Sequence, residues 1–230
     1  MAVRSTERRS DAAAGASGVR NRGVEPPPAL PGFEAINRYW DPQHGTFAAK
    51  ILPGEFYVTE HAEEMIVTTL GSCVAACVRD RRLRVGGMNH FMLPVRGGDP
   101  KHWEGDPLSV ATRYGNYAME QLINRIMALG GRRGDLELKL FGGGQVLAGV
   151  TDVGQRNIEF AREYVHTEGL RLLAEDLGGP YARKVQYFPA TGRARTKKLY
   201  ETRNDTLLRR EEHYLHEIDE APVTGGVDLF

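Results

Sequence analysis

Apolar positions along the chain recur at two periods. Runs at Glu55–Val58, Met65–Val67, Val74–Val78 and Val85–Leu93 are continuous or alternating and predict strands. The last two flank the charged link Arg79–Arg84, which makes a hairpin the economical arrangement. From Pro107 the period lengthens: Val110, Tyr114, Ala118, Leu122, Ile126 and Leu129 fall near one face, predicting a helix stopped by Gly130-Gly131. Leu136–Phe141 alternates as a strand and ends at Gly142-Gly143-Gly144, after which Gln155–Glu168 reads as a second helix closed by Gly169. Further strands are predicted around Leu170–Ala174, Lys184–Phe188 and Arg193–Leu199. Such interleaving predicts an α/β fold, a single domain of mixed β-sheets flanked by helices.

The two ends read differently. Residues 1–31 are rich in Ala, Gly, Ser and Arg, include Pro26-Pro27-Pro28, and hold almost nothing large and apolar before Phe33. They cannot repay the entropy of ordering and predict a disordered N-terminal arm. The domain is expected over 32–200, long enough to bury roughly 70% of its unfolded surface. Residues 201–230 form an acidic extension, in which Asn204-Asp205-Thr206 caps a loosely docked helix carrying Leu207, Leu208, Tyr214, Leu215 and Ile218.

Composition narrows the function classes. Lys+Arg and Asp+Glu balance at 30 each in 230 residues, which removes the electrostatic excess that phosphate neutralisation needs and argues against nucleic acid. No segment approaches the roughly 18 apolar residues of a membrane span, and Met1–Val24 has no signal-peptide apolar run. Cys73 and Cys77 would close only a tiny loop if bridged, so free thiols in the cytoplasm are expected.

Candidate chemistry begins at Thr68-Thr69-Leu70-Gly71-Ser72-Cys73. Gly71 and Ser72 deliver a thiol to the start of an apolar strand, where backbone N–H groups are still unpaired. A nucleophile needs such donors nearby. With a two-residue loop at Arg81-Arg82, Val78 faces Val85 and Cys73 faces His90 across the hairpin, with Cβ atoms about 4.5–5.5 Å apart. That makes a thiol–imidazole pair for covalent catalysis, against the plainer reading of two packed core residues. Cys77 is expected to pack. Two thiols and one histidine fall short of zinc-site patterns, and neither metal nor cofactor is expected.

Gly142–Gly144 follows a strand, but Gln145-Val146-Leu147 lacks the Gly-Lys-Ser/Thr ending of a phosphate loop. Tight backbone passage beside a neighbouring element is the reading left. Basic residues recur at Arg183, Lys184, Arg193, Arg195, Lys197 and Lys198, either as edge charge that blocks strand pairing or as a surface for an acidic partner.

Taken together, Thr-Leu-Gly-Ser-Cys-Val-Ala-Ala-Cys at 69–77, Gly-Gly-Met-Asn-His-Phe-Met-Leu-Pro at 86–94, Arg-Tyr-Gly at 113–115, Lys-Leu-Phe-Gly-Gly-Gly at 139–144, Gly-Gln-Arg-Asn at 154–157, Ala-Glu-Asp-Leu-Gly-Gly at 174–179 and Arg-Lys-Val at 183–185 resemble the CheD family. The resemblance implies a chemoreceptor glutamine deamidase, a protein-glutamine amidohydrolase, with a fold related to the cytotoxic necrotizing factor catalytic domain. It implies Cys73 as nucleophile and His90 as base, with a threonine completing the site. A one-residue loop deletion selects Thr68 for that place, whereas strand parity selects Thr69. The resemblance further implies receptor cytoplasmic helices as substrate and a CheC-type phosphatase as partner. Ser72 and Gly71 supply backbone donors, and the loop Arg96–Asp106 with the turn Gly142–Gln145 is expected to form the recognition groove. The competing readings are a chemotaxis adaptor that binds receptors or the phosphatase, and another thiol chemistry such as ester hydrolysis or transglutamination.

Overall fold

The computed structural model describes residues 25–94, 107–146, 153–200 and 205–220. Its strands are β1 (Asn37–Asp41), β2 (Thr46–Lys50), β3 (Phe56–Thr59), β4 (Glu64–Leu70), β5 (Val74–Asp80), β6 (Gly86–Asn89), β7 (Leu136–Gly142), β8 (Arg171–Leu177), β9 (Ala182–Phe188) and β10 (Arg193–Leu199). The helices are α1 (Pro107–Ala128), α2 (Val153–Thr167) and α3 (Asp205–Glu220). The strands form two mixed five-stranded sheets, ordered β1-β2-β4-β9-β10 and β3-β6-β5-β7-β8. Each has one parallel pair, β2 with β4 and β7 with β8, the latter joined through α2.

The predicted helices and most predicted strands are present. The α1 helix starts at a proline, whose missing N–H costs nothing there, and stops where Gly130 takes a positive φ of 92° and Gly131 N–H returns to Ile126. The hairpin β1–β2 is an element that the sequence patterning did not reveal. Its partner-facing stripe is short, and Phe47, Ala48 and Ala49 are buried mainly because β4 lies alongside. Of the predicted arm 1–31, residues 1–24 fall outside the described residues. Residues 25–31 instead lie against the domain: the Pro31 carbonyl accepts from Arg125 at 2.6 Å and the Pro28 carbonyl meets His61 at 3.1 Å. The loop Arg96–Asp106 also falls outside the described residues. Among the described residues, no helix is long and apolar enough to cross a membrane.

The core joins both sheets to α1 and α2. Ile66, Val185 and Tyr187 of the first sheet share one buried cluster with Ala75 and Cys77 of the second, and with Leu122, Ile126, Ile158 and Ala161 of the helices. Glu64 stitches the sheets together, accepting from Tyr57 at 2.9 Å, Thr59 at 2.5 Å and Arg38 at 3.2 Å. Its charge is thereby fully hydrogen-bonded inside the fold.

The β5–β6 hairpin corrects the predicted register. Its loop has four residues, Arg81–Arg84, and Val78 pairs with Gly87 rather than Val85. The cause is Asp80, whose carboxylate accepts the N–H groups of Arg82 and Leu83 at 2.8 Å and of Arg132 at 2.9 Å. That side chain stabilises a wider turn, closed by Arg84 at φ 61°. A two-residue shift keeps every side chain on its predicted face, so Cys73 and His90 still project to one side. They are not directly opposed, however. Past Cys77–Met88 the ladder opens, and Ala76 N–H donates to the Asn89 side chain. His90 leans to β3, donating its N–H to the Glu55 carbonyl and accepting from Gly54 N–H, before Val74 and Phe91 bridge again.

Candidate active site

The chain leaves the first sheet at Leu70 and joins the second at Val74, so Gly71, Ser72 and Cys73 form the crossing between sheets. All three carbonyls of this turn are tied back. Gly144 N–H donates to Gly71 and Gly143 N–H to Cys73, each at 2.7 Å, and the Asn157 amide donates to Ser72 at 2.9 Å. The triple glycine is thus the floor of the cysteine turn. Gly142 has φ 116°, and a Cβ there would sit 2.1 Å from the Cys73 carbonyl oxygen, which excludes any side chain. In a trans peptide the N–H points opposite to the carbonyl before it. Fixing the Gly71 carbonyl therefore turns the Ser72 N–H to the other side.

There two N–H groups of the turn meet one carboxylate. Gly71 N–H donates to Glu211 Oε1 at 2.7 Å, and Ser72 N–H and Oγ–H donate to Oε2 at 2.8 Å each. Glu211 comes from α3, where Leu207, Glu211 and Leu215 make a buried stripe at four-residue spacing. The predicted loose docking of this helix is corrected: Glu211 is 0% exposed, and Tyr214 bonds Tyr114 of α1 through their hydroxyls.

The imidazole is oriented by Thr68. The Thr68 hydroxyl lies 2.9 Å from the Ile51 carbonyl and 2.8 Å from His90 Nδ1. Its one proton must go to the carbonyl, which can only accept, so its oxygen accepts the Nδ1–H of His90. That assigns the tautomer. Nε2 carries the free lone pair, is buried, and has no hydrogen-bond partner among the described residues. Thr69, the other threonine expected from the sequence, instead sits opposite Lys184 on β9 and lines the adjoining cleft. Parity pointed to Thr69 because it assumes one continuous strand, whereas β4 and Cys73 are separated by the turn between two sheets.

Cys73, His90 and Glu211 present ligand atoms within 4.8 Å of one another, and all three residues are buried. Burial, and then the Glu211 carboxylate, hold the Cys73 thiol well above its ordinary pKa. Burial, and then the Arg210 cation, push His90 down to about 3. The resting pair is therefore neutral thiol and neutral imidazole. A thiolate, an imidazole and a carboxylate are also a donor set that zinc accepts, although both Glu211 oxygens already accept hydrogen bonds here. Cys77 is a free, buried thiol on β5, raised by burial and packed in the core.

The basic cluster divides. Arg193, Arg195, Lys197 and Lys198 lie on β10, an edge strand of the first sheet. Arg183 is not part of that surface: it is 0% exposed and bonds the Asp176 and Gly178 carbonyls.

Three contributors escaped the sequence reading. Ile51 acts through its carbonyl, which leaves no side-chain signal. Asn157 stood in a quoted motif, and its fully buried position on the apolar face of α2 is the signal that assigns it to the turn. For Glu211 the available signal is a charged residue centred in the apolar stripe of an amphipathic helix.

Comparisons with known proteins identify the family. A family model described as "CheD chemotactic sensory transduction" matches residues 92–198. "Probable chemoreceptor glutamine deamidase CheD" of Halorhodospira halophila (strain DSM 244 / SL1) is 79% identical over 211 residues, 92% of this chain and 97% of its own length. The protein of the same description from Hahella chejuensis (strain KCTC 2396) is 51% identical over 90% of this chain and 96% of its own length. Among solved structures, the Neisseria meningitidis protein NMB0706, of family DUF152, aligns with 55% of this chain and 54% of its own at 10% identity and a TM-score of 0.32, a likeness too slight to define the fold. With close relatives matched over nearly their whole length, this chain belongs to the CheD family.

Proposed function

We propose that this chain is a chemoreceptor glutamine deamidase that works through a thioester on Cys73. The observation that carries this reading is the fixed direction of the Thr68–His90 hydrogen bond, which leaves Nε2 as the free base of an imidazole grouped with Cys73 and Glu211. His90 takes the Cys73 proton as sulfur attacks the side-chain amide carbon of a glutamine. The tetrahedral oxygen is held by the N–H groups of Gly71 and Ser72, with the Ser72 hydroxyl beside them. Removing one such donor in comparable sites costs about 10²–10³ in rate. His90 then gives the proton to the departing nitrogen, the C–N bond breaks, and ammonia leaves. Water, deprotonated by the same imidazole, hydrolyses the thioester to glutamate and restores the thiol. Net, glutamine and water become glutamate and ammonia.

The names of the relatives point to chemoreceptors as substrate. A cytoplasmic address, where Cys73 and Cys77 stay reduced, belongs to the same proposal. A CheC-type phosphatase as partner and the cytotoxic necrotizing factor fold are supported by the family resemblance alone.

The test is to incubate wild-type and Cys73→Ala protein with chemoreceptor cytoplasmic fragments and follow glutamine by mass spectrometry. A site-specific gain of about one dalton, the step from amide to acid, with wild type alone is expected. Conversion that survives Cys73→Ala overturns the mechanism.

A further inference from the structure

The donors assigned to the tetrahedral oxygen are occupied in this fold, and their occupant is a glutamate of the same chain. Gly71 N–H, Ser72 N–H and the Ser72 hydroxyl all bond the Glu211 carboxylate, which also lies beside the Cys73 thiol. Glutamate is the side chain that deamidation leaves behind. We propose that α3 lies in the groove that receives the substrate helix, with Glu211 standing where the product glutamate stands after turnover, so that the chain carries its own product mimic. The proposal rests on the deamidase reading above and extends it to the shape of the substrate and the control of the site.

The surroundings of α3 support a groove made for a helix. Two clefts, of about 290 and 190 Å³, flank the helix, and both reach His90. Leu207 and Arg210 line one; Tyr214 lines the other, against Gly54 and Tyr114. Leu215 joins the main core cluster. His90 is shared by the two clefts, so lifting α3 away opens the space between them beside that ring. A buried carboxylate in mid-helix is costly unless fully hydrogen-bonded, and here the nucleophile turn provides the bonds. Read as a substrate template, α3 asks for a helix with an apolar residue four positions before the glutamine, an aromatic three after it and an apolar residue four after it. While α3 is seated, no second helix reaches the thiol, so turnover of a receptor requires its displacement.

The full-length chain supplies the test. In Glu211→Gln the mimic becomes an intramolecular substrate: sulfur attacks the amide carbon of the introduced glutamine, ammonia leaves, and water restores glutamate. A gain of about one dalton at position 211 is expected, absent from Glu211→Gln combined with Cys73→Ala. Glu211→Ala is expected to deamidate receptor fragments several-fold faster than wild type and to expose Cys73 to faster alkylation. If position 211 stays glutamine while the same protein converts receptor fragments, the mimic is overturned and the deamidase stands. If neither glutamine is converted, the deamidase reading falls and this proposal with it. A folded Glu211→Ala protein that has lost receptor activity makes Glu211 a required member of the catalytic group and overturns the mimic.

Discussion

Thr68 and His90 are joined by a 2.8 Å hydrogen bond whose direction is set by a third group, the Ile51 carbonyl. A neutral hydroxyl thus does what a carboxylate does in other thiol and serine sites: it fixes the imidazole tautomer. Because it carries no charge, it does not raise the basicity of the ring, and burial is free to keep His90 neutral.

Thr68→Val is expected to lower the rate of ammonia release by roughly 10²-fold, since the ring loses the partner that keeps Nε2 unprotonated and aimed at Cys73. Thr68→Ser keeps the hydroxyl and is expected to retain most activity. Thr69→Val is expected to change little. Steady-state kinetics on one receptor fragment compare all three, and a Thr69→Val loss as large as that of Thr68→Val contradicts the assignment.

His90 is expected to remain neutral, protonated on Nδ1, from about pH 8 down to about pH 5, because its folded pKa is lowered from 6.5 to about 3. NMR of ¹⁵N-labelled histidine reads both the tautomer and the titration. The sign for stability follows: between about 3 and 6.5 the unfolded chain binds a proton that the folded chain does not, so the fold loses stability as pH falls through that window. Denaturant midpoints at about pH 7 and about pH 5 are expected to differ less in His90→Asn than in wild type. A His90 midpoint near 6.5 in the folded protein rules this out.

Asn157 accepts from Leu93 N–H at 2.8 Å and donates to the Ser72 carbonyl, so one buried side chain links α2, the exit of β6 and the cysteine turn. Asn157→Leu leaves a buried donor and a buried acceptor without partners, for a loss of about 2–4 kcal/mol. Chemical denaturation reads the loss, and kcat is expected to fall as the turn loosens. A variant with unchanged stability shows that neither bond matters.

Sequence alone determined the periodic elements and the ingredients of the site. Apolar spacing places α1, α2 and most strands, since burial of one face dictates period whatever the neighbour is. Gly71-Ser72-Cys73 and His90 declare themselves by residue type; their direct opposition was lost, but their placement on one side survived an error of two residues in register because strand parity repeats every two. What tertiary structure decided is everything that depends on partners distant along the chain. Asp80 chose the hairpin loop through its own side chain and Arg132. Only the passage from one sheet to the other brought Thr68, not Thr69, to the imidazole. Glu211 reached the Gly71–Ser72 N–H groups across about 140 residues of chain, and Ile51 contributed a carbonyl that any residue carries. Local pattern encodes which face is buried; it does not encode what that face meets.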